Sequence, residues 1–226
     1  MAQTPPAVPS AMPSPTAPLP EPTDPDREPA NGLLEPGTYT VHAYEGTNIN
    51  LRFTVPGGWS WHGWYLEKAD LDSTQHAAIG FWTAEVQVYT DPCRWQGAEP
   101  DPPTGPSVRN LIDALAVQPM RGAAAPVERS AASLDMPGRW QGSAIELTVP
   151  TDLDVADCDL GQFRSWGPET QARYHQGPGQ HDLVWAIDVL PSARLIVDAA
   201  SFPDTPPEVL SEIESILDSI VTGHWG

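Results

Sequence analysis

The stretch DLVWAIDVLPSARLIVDAASFPDTPPEVLSEIESILDSIV, residues 182–221, decides how the chain is organised. DLVWAIDVL (182–190) and ARLIVDAASF (193–202) are rich in β-branched and aromatic side chains and meet at Pro191-Ser192, the pattern of a β-hairpin. Downstream, Val209, Ile213, Leu217 and Ile220, with Leu210 and Ile216, make one apolar stripe at helical spacing. Ser211, Glu212, Glu214, Ser215, Asp218 and Ser219 fill the other side. Thr205 and Glu208 read as a T-x-x-E capping box, with Pro206 at the first helical position, where a missing N–H costs nothing. The helix is therefore predicted over 206–221. A helix that directly follows a hairpin buries its stripe on the face of that sheet. The expected class is α+β, a mostly antiparallel sheet with about two packed helices, rather than alternating βαβ units.

Strand patterns continue upstream. GTYTVHAYE (37–45) and INLRFTVP (49–56) read as a second hairpin across EGTN. WSWHGWYLEK (59–68) crowds Trp59, Trp61 and Trp64 into a strand or loop, and AAIGFWTAEVQVY (77–89) is the longest uninterrupted strand signal. GRWQGSAIELTVP (138–150) is another clear strand, and residues 126–136 are compatible with a short one. One further helix is predicted over 106–118: Val108, Leu111, Ile112 and Leu115 share a face and Pro119 stops it. No solenoid-type repeat is present.

The first thirty residues hold ten of the 27 prolines and almost nothing large and apolar. Proline fixes φ and removes a donor, so residues 1–32 read as an extended, disordered linker and 33–226 as a single globular domain. Nine Trp, five Tyr and four Phe supply ample core area.

The formal net charge is −19, and −16 remains once the tail's one Arg and four acids are set aside. Such a field repels phosphate backbones and anionic membrane surfaces, which excludes nucleic acid as an expected partner. No run approaches the roughly 18 to 20 apolar residues needed to span a bilayer, so membrane association is expected only through an anchor outside this sequence. Pro/Ser/Thr/Ala stalks commonly tether exported domains. The expectation is a secreted or membrane-anchored extracytoplasmic domain; the alternative is a cytoplasmic protein with a disordered leader.

FTVPGGW (53–59), IGFWTAEVQVYTDPCRW (79–95), DPPTGPSVRNLIDAL (101–115), CDLGQFRSW (158–166), RYHQGPGQHDLVWAIDV (173–189) and RLIVDAASFPDTPPEVLSEIESILDSI (194–220) together resemble a family of exported, lipoprotein-like proteins of high-GC Gram-positive bacteria. That family has no established activity, so the resemblance implies compartment and architecture but no catalytic residues. More loosely, a strand ending in VPxGW, further strands and a final helix ending in DSI resemble a PsbP-like α/β/α sandwich. Members of that fold are mostly binding or accessory proteins.

Two cysteines stand 65 positions apart, Cys93 in TDPCRWQG and Cys158 in ADCDLGQFRSW. Metal sites and redox sites favour clustered ligands such as CxxC, which this chain lacks. A Cys93–Cys158 disulfide is the leading reading, with free buried or reactive thiols as alternatives. Asp152/Asp154 and Asp157/Asp159 flank Cys158 like a loose Ca²⁺ loop but lack the Gly and the distal Glu of that register. No metal and no cofactor are expected.

The segment RYHQGPGQHDLVW (173–185) is the best functional candidate, with His175, Gln176, His181 and Asp182 around a Gly-Pro-Gly turn. Its bland alternative is a loop whose polar groups satisfy local backbone. Trp61 and Trp64 are candidate stacking residues for a ligand, while Trp82 and Trp185 read as core. GxSxG, Walker, GxGxxG, HExxH and SxxK patterns are all absent, so no catalytic residue is assigned. The expected function is a non-enzymatic sensor, ligand-binding or accessory domain on a Pro-rich stalk, its partner an unknown small molecule or envelope protein. The alternative is a hydrolase built on His175, His181 and Asp182.

Overall fold

His181–Leu190 and Ala193–Ser201 pair antiparallel, with a register shift between Asp188 and Leu190, and form the centre of the domain. The computed structural model of the chain describes residues 27–42, 44–83, 86–134, 138–167, 176–190 and 193–224. Residues 1–26, the Pro191-Ser192 junction and His175 lie outside the described residues.

In chain order the first strands are β1 (Gly32–Leu33), β2 (Gly37–Val41), β3 (Ile49–Val55), β4 (Trp59–Trp61), β5 (Tyr65–Lys68), β6 (Ala78–Trp82) and β7 (Gln87–Val88), followed by helix α1 (Val108–Ala116). Then come β8 (Gly122–Ala123), β9 (Val127–Glu128), β10 (Ala131–Ser133), β11 (Arg139–Trp140), β12 (Gly142–Thr148) and β13 (Trp166–Gly167). The hairpin strands are β14 (His181–Leu190) and β15 (Ala193–Ser201), and helix α2 (Pro207–Ser219) leads to β16 (Val221–His224). A nine-stranded sheet runs β1-β4-β5-β6-β15-β14-β12-β8, with β9 also on β12. A five-stranded sheet runs β11-β10-β16-β3-β2. All pairings are antiparallel except β10 with β16, so the class is α+β.

Both faces of the large sheet are covered, which explains why β14 and β15 are apolar at nearly every position rather than at alternate ones. On the first face, Trp61, Phe81, Trp185, Ile187 and Val197 meet Leu51 and Phe53 of the smaller sheet and the α2 stripe. On the second, Ile145, Leu147, Val184, Ala186 and Ile196 meet Val108, Leu111, Ile112 and Leu115 of α1. Arg194, itself buried, donates to the carbonyls of Gly105, Ser107 and Val86 and fixes the start of α1 over the sheet.

Three local expectations are corrected. Thr205 does not cap α2: its hydroxyl accepts from Phe202 N at 2.9 Å and donates to the Gln75 and His76 carbonyls, so Pro206 precedes the helix and Pro207 opens it. The helix ends at Ser219 rather than Val221, because residues 221–224 hydrogen-bond to β3 as a strand of the smaller sheet. Leu210, placed in the stripe by spacing, is 41% exposed. By contrast, α1 is capped reciprocally by Ser107 and Asn110, and it runs Val108–Ala116, two residues shorter at each end than the predicted 106–118.

Cys93 and Cys158 form the expected disulfide. Asp91 Oδ1 accepts from Cys93 N and Arg94 N, Trp95 Nε1 donates to the carbonyls of Asp159 and Gln162, and Arg164 lies over the Trp95 ring. The acids of this loop thus satisfy backbone groups. Of the Pro-rich segment, residues 27–32 run along the domain: Arg27 covers the Tyr39 ring and Gly32 pairs with Trp61. Among the described residues no helix is long and apolar enough to cross a membrane.

Candidate functional site

Side chains alternate along strands, so cross-strand neighbours on one face form rows. One row on the second face of the large sheet is Tyr65–Gly80–Asp198–Val184, and the next is Glu67–Ala78–Ala200–Asp182. At the β14 end Val184 is packed under α1. Toward β5 the residues become small, Ala78, Gly80 and Ala200, and the helix does not reach them. The result is a cleft of about 480 Å³ over β5, β6 and β15. Its walls are the rings of Trp64, Tyr65, Trp82 and Phe202, with Gly177 and Gln180 closing one end.

The local reasons are visible in the sequence. Gly63 adopts φ 85°, a left-handed turn that places Trp64 just before β5. Trp64 then packs against Trp82, ring centroids 5.3 Å apart, and against Tyr65 at 4.7 Å. The Trp82 indole lies so close over Gly80 that a Cβ there would meet the ring at 2.4 Å. Only glycine allows the tryptophan to fold back and wall the cleft. Gly177 similarly leaves room for the Phe202 ring.

Two carboxyl groups enter this aromatic surface. Asp198, 1% exposed, lines the floor. Glu67 stands at the rim between two imidazoles, with His62 Nε2 at 3.3 Å and His76 Nδ1 at 3.3 Å. Ser73 also lines the cleft, and His76 directs its Nδ1 to Glu67 rather than to that hydroxyl.

A second polar cluster lies behind the closed end. Arg121 Nη2 meets Asp182 Oδ2 at 2.9 Å, and both side chains are fully buried. Gln180 Nε2 donates to Asp182 Oδ1 at 2.8 Å, Gln176 donates to the other carboxylate oxygen, and Ser165 bridges Arg121 to Gln176. Gln118 ties this cluster to the carbonyls of Tyr89 and Ser165. A separate groove of about 330 Å³ runs beside α2, where Arg129 pairs with Asp218 at 2.8 Å and lies over Trp185.

The sequence candidates separate in this geometry. Trp64 walls the cleft, whereas Trp61, 3% exposed, packs between Phe53 and Phe81 in the core. Gln176 and Asp182 are buried in the Arg121 cluster. His181 is exposed on the opposite face from Asp182, its Nδ1 3.3 Å from Thr148 Oγ1, because adjacent strand residues point apart. His175 falls outside the described residues. Tyr65, Glu67, His76, Asp198 and Phe202 do not stand out in the sequence. The available signal is the run of small residues at alternate positions of a bulky strand, which marks a close approach or an open face. Among the described residues, no group of three or more His, Cys, Asp or Glu is arranged to hold a metal ion.

No family model and no curated protein matches this chain. Among solved structures it is similar to the solution structure of cyanobacterial PsbP (CyanoP) from Synechocystis sp. PCC 6803, with 11% identity. That alignment covers 87% of this chain and 94% of the other, at a TM-score of 0.39.

Proposed function

We propose that this chain is a non-enzymatic accessory domain of the extracytoplasmic side, carried on a Pro-rich stalk, that captures a small organic ligand in the cleft over β5, β6 and β15. The observation that carries the reading is the cleft itself: about 480 Å³, walled by four aromatic rings. That volume falls within the range of small-molecule sites, which are mostly apolar with a few placed polar groups. The Cys93–Cys158 bridge supports an oxidising compartment. His181 and Asp182, which a hydrolase would need together, project to opposite faces, and this favours binding over catalysis.

The test has two arms. Isotope-labelled protein is titrated with a mixture of neutral and charged small organic fragments, and the indole N–H signals of Trp64 and Trp82 and the amides of 177–180 and 198–202 should shift together. Shifts that miss these groups overturn the binding site. Hydrolysis of a chromogenic acetyl ester is measured in parallel for the wild type and His76→Ala. Turnover that the variant loses would replace the accessory reading with an enzymatic one.

A further inference from the structure

The aromatic rings and carboxylates of this cleft together define what it takes. We infer that its ligand is an organic ammonium ion, a permanent or protonated amine on an apolar body. The inference rests on the binding reading above and specifies its ligand class.

Trp64 and Tyr65 line one wall, their centroids 4.7 Å apart and their planes tilted by 58°, Trp82 continues the wall at 57° to Trp64, and His62 stacks on one face of Tyr65 at 4.6 Å. Aromatic rings lining a cleft attract a cation more strongly than a neutral group of the same shape. Among the described residues that line the cleft there is no lysine or arginine to pair with an anion. The single lysine of the sequence, Lys68, follows Glu67 on β5 and points to the other face, where its Nζ meets Glu212 of α2 at 2.6 Å. Arg121 is fully buried on Asp182 behind the closed end. Glu67, with a third of its side chain exposed, stands at the rim, and the Asp198 carboxyl lies in the floor. The formal net charge of −19 adds a long-range field of the same sign, which raises the local concentration of cations.

The shape adds selectivity. Ala78 and Ala200 leave a methyl-sized floor beside the Trp82 indole, which covers Gly80, so the body of the ligand meets apolar surface there. His62 and His76, each 3.3 Å from Glu67, hold the rim carboxylate in place between them.

The probe pair is choline and dimethylbutanol, its neutral isostere in which carbon replaces the nitrogen. Both are titrated into the full chain at about pH 8, following the Trp64 and Trp82 indole signals. Choline is expected to shift these signals and to bind roughly five- to thirtyfold more tightly than the alcohol, the range that cation–π attraction supplies. Glu67→Gln, a conservative change at a partly exposed site, should weaken choline roughly three- to tenfold and leave the alcohol unchanged. Trp64→Ala should weaken both but choline more. Equal binding of the two probes overturns the ammonium inference while leaving the cleft a ligand site. An inert choline, with neutral fragments still shifting the indoles, overturns it in the same way. If no fragment shifts them, both readings fall.

Discussion

Arg121 and Asp182 carry the largest electrostatic stake in the domain. Their side chains are fully buried and 2.9 Å apart, and the carboxylate also receives Gln176 and Gln180. Removing one partner leaves a charge with no water to solvate it, so Arg121→Met is expected to lower stability by about 3–5 kcal/mol, read from urea unfolding. A loss under about 1 kcal/mol would mean that water reaches Asp182. Tyr44 makes a different demand. Its hydroxyl donates to the Phe81 carbonyl at 2.8 Å, and burial pushes its phenol well above the ordinary tyrosine range. The folded state therefore holds this proton more tightly than the unfolded chain does. That contribution is complete below about pH 10, where unfolded tyrosine titrates, and is lost above it at about 1.4 kcal/mol per pH unit. Tyr44→Phe should flatten the fall of the urea midpoint between about pH 9 and about pH 10.5; an unchanged slope would place the phenol in contact with solvent.

The segments around the disulfide and the helix starts show how elements are held. Cys93 follows β7 and Cys158 lies between two short 3₁₀ turns, so the bridge ties otherwise weakly paired loops across 65 positions. The chain-entropy relation gives about 4 kcal/mol for a loop of this length. Reduction should lower the guanidinium midpoint accordingly, while a Cys93→Ser/Cys158→Ser variant should not respond to reductant at all. At α1, Ser107 and Asn110 satisfy each other's orphan N–H groups. Alanine at Ser107 should cost about 1 kcal/mol, measured as a shift in thermal midpoint. The start of α2 obtains no such bond, because Thr205 is engaged with the 75–76 loop that borders the cleft.

Taken whole, the domain is a large antiparallel sheet between unequal covers. The smaller sheet and α2 fill one face. On the other, α1 covers only the β12–β14 side, and the bare remainder is the cleft. With 30 acids against 11 Lys and Arg, the folded state works against its own charge. Raising monovalent salt from about 0.02 M to about 0.3 M should therefore raise the thermal midpoint, since screening shortens the range of that repulsion. A falling midpoint would show that local ion pairs such as Lys68–Glu212 and Arg129–Asp218 outweigh the net charge.

Local pattern was enough for the α+β class, the β14–β15 hairpin, both helices to within a few residues and the Cys93–Cys158 pairing. These follow from side-chain periodicity, from turn residues and from the scarcity of thiols, all of which act over short stretches of chain. The cleft was legible only through Trp64. Trp61 and Trp64 look alike in WSWHGWYLEK, yet Trp61 is an inward strand position and Trp64 follows a glycine turn just before β5. Asp182 looks available beside two histidines, but its partner Arg121 is 61 residues away. Likewise Glu67 of β5 and the pair Asp198 and Phe202, in and just after β15, come from distant segments and meet because β5, β6 and β15 are neighbours in the sheet. Strand order, and how far α1 extends across the sheet, depend on the packing of the whole domain. They decided which tryptophan became core and which became the wall of a site.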